Sequence, residues 1–350
     1  MGKFRTPTRL STLARLLLAD WPKLKLPIAS DNVIVAVSGG ADSTALLLAI
    51  EELIRAGKVS VSIIAAHLDH GIRPQSKADA RCVANLAKGL GFVSVTGRAN
   101  VAEMANANSE NLEQTARVAR YDFLERTAKR RRSGFILTAH TMDDQAETVL
   151  LRLMRGSSGT GLAGMDNCRP ISKNSHVMLC RPLLWARRQE TEEYCRLRKT
   201  GFLNDEMNED ERFARVRVRK QLLPLMESFN SKVVEALTRT ATLLREDSHV
   251  LLNDSDALLE TAISQSSVRS ETGTPSLSVH VLAKAPPALR RRALRQWIAN
   301  GRGNSRRLEM VHLLAVEGLL TGSQGGRTVE LPNGYKVTRR KGRLELGRGN

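Results

Sequence analysis

Residues 33–44 read Val-Ile-Val-Ala-Val-Ser-Gly-Gly-Ala-Asp-Ser-Thr. The β-branched apolar run predicts a short buried strand over 33–37, and a helical pattern then continues to Ile54. Between them sit Gly39 and Gly40, whose missing Cβ atoms let backbone N–H groups approach an anion. The helix that starts at once aims its free amides and its dipole at the same point. Ser38, Ser43 and Thr44 add hydroxyl donors. The common mononucleotide loop, GxxxxGK[ST], needs a lysine that is absent. Asp42 is the informative residue. A carboxylate in a phosphate cradle either caps the helix and faces away, or holds Mg²⁺ between itself and the phosphate.

Outward from this loop the pattern repeats. Strands are expected over 60–66, 92–95 and 135–138, with helices over 77–90, 109–129 and 142–154. Such alternation predicts an α/β fold, a Rossmann-like parallel sheet covered on both faces. Ligands on these sheets bind at the carboxyl ends of the strands. Residues 156–165 (GSSGTGLAGM) read as a flexible loop. Beyond Arg187 the chain becomes mostly helical, near 187–200, 216–227, 231–260 and 287–299. Residues 266–276 read as a loop, and 326–347 as a small β hairpin turning at Pro332-Asn333-Gly334. The organisation expected is an α/β domain over 1–225, entered by a helix carrying Leu10, Leu13, Leu16 and Leu17, and a basic C-terminal region over 226–350.

The chain has 54 Lys and Arg against 36 Asp and Glu in 350 residues, a net charge of +18. From Glu211 onward 24 basic residues face 13 acidic ones. A field of this sign captures polyanions, nucleic acid above all. Only 13 side chains are Phe, Tyr or Trp, so base recognition by stacking should be sparse. No window approaches 18 uncharged apolar residues, so no membrane helix is expected. Cys82, Cys168, Cys180 and Cys195 form no CxxC and no paired spacing, which argues against a zinc ribbon, a redox dithiol or a disulfide framework and for a reducing, cytoplasmic setting.

Four further segments carry polar residues at strand ends. His67-Leu-Asp-His70-Gly-Ile-Arg73 ends the second strand. Arg117 and Arg120 share a face of the helix expected over 109–129. His140-Thr-Met-Asp143-Asp144-Gln-Ala-Glu147 crowds three acids on one early helical face, a repulsion that a cation or a substrate ammonium would relieve. Arg152 and Arg155 lie one turn further on, and Arg181-Pro182-Leu-Leu and Arg215-Val-Arg217-Val-Arg219-Lys220 follow.

The loop Ser38-Gly-Gly-Ala-Asp42-Ser43 resembles the SGGxDS loop of the N-type ATP pyrophosphatases. With the HLxHGxR, ARxxRYxFL, AHxxDDQAET, LRLxRGSxxxGLxGM and RPLL runs in order, residues 33–225 resemble the tRNA(Ile)-lysidine synthase family. Asn204-Asp205 and the Arg-rich stretch before Leu222-Leu223-Pro224 extend the likeness, although Val216 stands where that family usually carries Asn. The resemblance implies a ligase using ATP and Mg²⁺, free L-lysine and the tRNA(Ile) with a CAU anticodon. It implies ATP binding by Ser38, Gly39, Gly40, Ala41, Asp42, Ser43, His67 and His140, with Asp42 also at the metal. Asp42, Arg117, Arg120, Asp144 and Glu147 would be catalytic, and Arg152, Arg155, Arg215, Arg217 and Arg219 would hold the tRNA. A tRNA thiolase would need sulfur-carrying cysteines that the spacing does not supply. A homodimer is compatible with the sequence.

Overall fold

The computed structural model describes residues 9–71, 76–108, 111–203, 210–266, 273–305, 307–321 and 326–349. The chain divides into two compact units, Met1–Thr242 and Leu243–Asn350.

The first unit opens with α1 (Thr12–Asp20), capped by the Ser11 hydroxyl, which accepts the Ala14 N–H. Leu13 and Leu17 are buried there, as their helical spacing predicts, while Leu16 stays exposed. There follow β1 (Ala29–Ala36), α2 (Ala41–Arg55), β2 (Ser60–Asp69), α3 (Ser76–Gly89), β3 (Val93–Arg98), α4 (Val101–Asn108), α5 (Leu112–Arg130), β4 (Phe135–Thr138) and α6 (Met142–Met154). A single helical turn, α7 (Gly159–Leu162), precedes β5 (Cys168–Pro170), β6 (Met178–Cys180) and α8 (Arg188–Leu197). Then α9 (Ala214–Arg217) passes through a π-helical turn, Val218–Leu222, into α10 (Leu223–Phe229). The long α11 (Val233–Ser264) begins in this unit and continues into the second.

The six strands run in the order β3-β2-β1-β4-β6-β5. All neighbours are parallel except β5, which is antiparallel to β6. Because alternate residues of a strand face opposite sides, Val33 and Val35 join one core with Leu46, Ile50 and Leu17, while Ile34 joins another with Leu124 and Ile136. Each such fully buried aliphatic side chain contributes roughly 1.5–3 kcal/mol. The strand order reverses direction between β1 and β4, so the loops after these two strands part and leave a crevice at their carboxyl ends.

The second unit contains β7 (Leu277–Ser278), α12 (Val279–Lys284), α13 (Pro287–Arg302), α14 (Met310–Gly318), β8 (Thr328–Leu331), β9 (Tyr335–Arg340) and β10 (Arg343–Arg348). Its antiparallel sheet, ordered β7-β10-β9-β8, packs with the helices around Trp297, Leu294, Val337 and Leu344. The expected hairpin around Asn333 and Gly334 is present as β8–β9, and β10 and β7 extend it to four strands.

Several expectations need correction. The helix expected over 109–129 is preceded by α4, a separate element, and Ser109 lies outside the described residues. The glycine-rich stretch 156–165 is not a free loop. Arg152 donates to the carbonyls of Gly161 and Gly164 at 2.7 Å each, and the Gln145 amide bridges the backbone N–H and carbonyl of Met165. The strands β5 and β6 escaped notice because three residues carry no readable alternation. Their register places Cys168 opposite Cys180, and a disulfide joins the two. Spacing along the chain gave no sign of this pairing, since only the antiparallel ladder brings the thiols together. No helix among the described residues is long and apolar enough to cross a membrane.

Candidate active site

The loop after β1 takes its shape from Gly39, whose φ of +95° lies in the left-handed region. A Cβ at Gly39 would stand 2.6 Å from Leu203 Cδ1, and the Leu203 N–H donates to the Gly39 carbonyl at 2.9 Å. The Ser43 hydroxyl accepts the N–H groups of Ser38 and Gly39, both at 3.2 Å. The first helical bond of α2 runs from Thr44 N–H to Gly40 O, so the amides of Ala41, Asp42 and Ser43 head the helix with no preceding turn to bond. The strand, glycine turn and helix start therefore stand where the sequence places them.

Asp42 faces α8 and not away from the site. The Thr191 hydroxyl donates to its Oδ1, and Arg188 Nε lies 3.6 Å from its Oδ2. Burial, reinforced by the nearby Asp144, pushes the Asp42 carboxyl up to about 6 despite Thr191 and Arg188.

The acids of α6 follow from its capping. Thr141 and Asp144 form a reciprocal capping box: the Thr141 hydroxyl accepts the Asp144 N–H, and Asp144 Oδ2 accepts the Thr141 N–H at 2.9 Å. The other oxygen, Oδ1, takes Arg188 at 3.1 Å and Arg215 at 3.0 Å. Burial alone would raise this carboxyl, but Arg215 and Arg188 outweigh it and hold Asp144 far below the usual carboxylate range. Glu147 is fully buried and pairs with Arg215 at 2.6 Å, Arg219 at 2.7 Å and Arg188 at 3.4 Å. Asp143 accepts the Arg188 backbone N–H at 2.7 Å and the Arg187 guanidinium at 3.3 Å, tying α6 to the start of α8.

On the α5 side, Arg117, Arg120 and Arg169 stand 4.8, 5.5 and 5.8 Å from the centre of the Tyr121 ring. Arg181, buried, donates to the Asp166 carbonyl at 2.6 Å. His140 sits between the two groups. Burial lowers its imidazole well below the usual range; Asp144 opposes this, and Arg181, Arg120 and Arg215 assist it. Its Nδ1 meets Thr138 Oγ1 at 2.9 Å. His67, also buried, donates from Nδ1 to the Val37 carbonyl at 2.8 Å, which leaves Nε2 as its second polar atom.

The structure thus brings Asp42, Asp144 and Glu147 together and sets Arg120 near His140, with Arg117 beside Arg120 on the Tyr121 ring. It gives Arg215 and Arg219 to the acids and Arg152 to the glycine-rich turn, while Arg155 and Arg217 are exposed. Val216 is buried on α9 and offers no polar group. Arg73, Asn204 and Asp205 lie outside the described residues. Arg187, Arg188 and Thr191 were missed in the sequence; the only signal was an Arg-Arg pair opening a helix, and nothing there named Asp42 as its partner. A cavity of about 440 Å³ between β3 and α5, lined by Leu68, Val95, Phe123 and Arg126, contains none of the loop residues.

Mg²⁺ fits this chemistry. Asp42 and Asp144 supply hard oxygen donors whose mutual repulsion a divalent cation would relieve, and Mg²⁺ needs only one or two carboxylates beside phosphate oxygens and water.

Comparison with known proteins agrees with the geometry. A PP-loop domain profile matches residues 16–226 and a TilS substrate binding domain profile matches 277–345. A tRNA(Ile)-lysidine synthase of Gloeobacter violaceus is 36% identical over 90% of this chain and 91% of its own. Those of Geobacter sulfurreducens (35%) and Thermus thermophilus (37%) match 88% and 90% of this chain. The chain spans 63% and 57% of the length of these two curated relatives. Among solved structures, the U34-tRNA thiolase NcsA from Methanococcus maripaludis superposes with a TM-score of 0.55 at 14% identity, over 67% of this chain and 78% of its own, a likeness of fold. With the phosphate loop, the strand order and the near-full-length relative in agreement, the chain belongs to the tRNA(Ile)-lysidine synthase family of PP-loop proteins.

Proposed function

We propose that the chain ligates lysine to carbon 2 of the wobble cytidine in the CAU anticodon of tRNA(Ile), at the expense of ATP. The observation that carries this reading is the meeting of a glycine phosphate loop and a buried acid cluster at one crevice, in a chain of this family. In the first half-reaction the cytidine O2 attacks the α-phosphorus of ATP and pyrophosphate leaves. In the second the lysine ε-amine attacks carbon 2 and AMP leaves. The product, lysidine, pairs with A instead of G and changes charging from methionine to isoleucine.

Each residue has a task that its surroundings suit. The loop 38–43 would bind the leaving pyrophosphate, chiefly through the amides of Ala41, Asp42 and Ser43 at the head of α2. Asp42 and Asp144 would hold Mg²⁺, which would neutralise phosphate charge when bound. Arg117 or Arg120 would stabilise the charge that builds on the transferring phosphoryl group. His140, kept neutral by burial, and His67, through Nε2, would contact nucleotide or base. A free lysine amine titrates near 10.4 and must lose a proton before attack. Asp144 and Glu147 are the groups to receive its ammonium, which must then displace Arg188 from Asp144. The exposed Arg155 and Arg217 remain available to tRNA phosphates, and the work would be done in the cytoplasm.

The test is incubation with Mg²⁺-ATP, a CAU-anticodon tRNA transcript and radiolabelled lysine. Label should enter the tRNA and disappear with Asp42→Ala. Pyrophosphate release without lysine transfer would point to another nucleophile. An absence of ATP turnover would leave an RNA-binding protein.

A further inference from the structure

We infer that Arg169 and Arg181, which share the Tyr121 ring with Arg117 and Arg120, form a phosphate site that takes a backbone phosphodiester of the RNA substrate, separate from the glycine loop and from the transferring phosphoryl group that Arg117 or Arg120 would meet. The inference rests on the reading above only for which RNA is used.

The grouping is unusual in its charge. Three guanidinium carbons lie within 5.8 Å of one ring centre, and Arg181 is packed against the same residue. Among the described residues none of the four arginines has an ion pair. Arg181 is 2% exposed, and its Nε has no hydrogen-bond partner among the described residues; the same holds for Arg120 Nε. Burial and the neighbouring arginines lower the guanidinium of Arg117, with only the Tyr121 ring opposing. Tyr121 itself is drawn down by these four charges against its burial. Buried like charges without a counterion are unfavourable, and an oxyanion is the ligand that relieves them. The aromatic ring does so only in part, through its face.

Two observations favour RNA over ATP as the source of that anion. The grouping is carried by α5 and by the β5–β6 pair, whereas the cradle for nucleotide phosphates heads α2. Among the described residues none of these arginines pairs with a carboxylate that could carry the Mg²⁺ with which ATP phosphates travel; a phosphodiester needs no such partner. Arg169, half-buried and donating among the described residues to the carbonyls of Pro170 and Ile171, is the member that a backbone passing the sheet edge meets first.

Arg169→Gln tests the site in the full chain. tRNA binding is measured by filter retention from 50 to 300 mM KCl, beside steady-state KM values for tRNA and ATP. The expected result is a tRNA affinity about 5–10-fold weaker, a salt slope reduced by about one, and a KM for ATP within twofold of wild type. Arg169→Lys, which keeps the charge, should recover most of the slope, and a melting temperature equal to wild type shows that the fold is intact. A raised KM for ATP with unchanged tRNA binding would overturn the RNA assignment. Unchanged values for both would overturn the site. Because tRNA retention is read without lysine transfer, a wild-type protein inactive toward lysine that still shows the Arg169 slope change would refute the ligase reading and leave the phosphate site standing.

Discussion

The acid cluster around Glu147 and the arginine cluster around Tyr121 both draw guanidinium groups into the protein, and they differ in what neutralises them. Around Glu147, Arg187, Arg188, Arg215 and Arg219 meet Asp42, Asp143, Asp144 and Glu147 in ion pairs of 2.6–3.6 Å. Around Tyr121 the arginines meet a ring, backbone carbonyls and one another. His140 lies between and is influenced by both. The first cluster pairs its arginines with carboxylates of the chain and fastens α6, α8 and α9 together. The second is completed from outside. Removing a charge should therefore have opposite consequences on the two sides.

The largest effect is expected at Glu147. Glu147→Gln leaves three guanidinium groups facing a neutral amide, and breaking a buried pair in this way costs about 3–5 kcal/mol. Denaturant unfolding should show that loss; a change below 1 kcal/mol would mean that the cluster does not hold the helices.

Next comes Asp42. Its carboxyl is raised to about 6, so the ionised form is lost as pH falls through that value. ATP-dependent pyrophosphate release should decline below pH 6, and Asp42→Asn should abolish it by about 10²–10³-fold at any pH. The sign for stability is the reverse. A carboxyl raised in the folded chain destabilises it progressively as pH climbs from the ordinary value to about 6, and fully above that. Asp42→Asn should therefore stabilise the protein at pH 8 by about 1–3 kcal/mol and leave it little changed near pH 4.

Arg188→Gln sharpens the contrast at smaller scale. Arg188 opposes the rise at Asp42, so its loss should move the pH midpoint of pyrophosphate release further up. Activity at pH 7 should fall about tenfold and recover in part near pH 8.5, which a full pH profile would reveal. The smallest effect belongs to the other cluster. Arg169→Gln removes one of several like charges and should leave the melting temperature unchanged or raise stability by ~0.5 kcal/mol at low salt. A loss of 2 kcal/mol there would mean that the Tyr121 cluster, too, is internally balanced.

The sequence made one side of this comparison readable and hid the other. The loop 38–43, the helix 142–154 and the three acids on its face follow from glycines, strand alternation and i,i+4 spacing, which are local rules. The partners of those acids do not. Arg187 and Arg188 begin a different helix, and Arg215 and Arg219 reach Glu147 across a π-turn that no periodicity announces. Pairs of this kind are created by packing, and neither the spacing nor the resemblance, which gave Arg215 and Arg219 to the tRNA, disclosed that they meet Glu147. Arg169 and Cys168 were hidden for the same reason, since a three-residue strand at a sheet edge has too little pattern to show. Arg117 and Arg120 were visible as a shared helix face, but the aromatic ring that gathers the other arginines to them was not.

Leu203 has a consequence for how this loop can change over time. It covers Gly39 closely enough that a methyl group there would collide with it, and its own amide holds the Gly39 carbonyl. The shape of the phosphate loop therefore depends on a leucine from a distant part of the chain. An alanine at Gly39 would have to push the Leu203 side chain aside as well as tolerate the left-handed backbone. A bulkier or polar residue at 203 would reproduce the phenotype of a damaged phosphate loop in a protein whose loop sequence is intact.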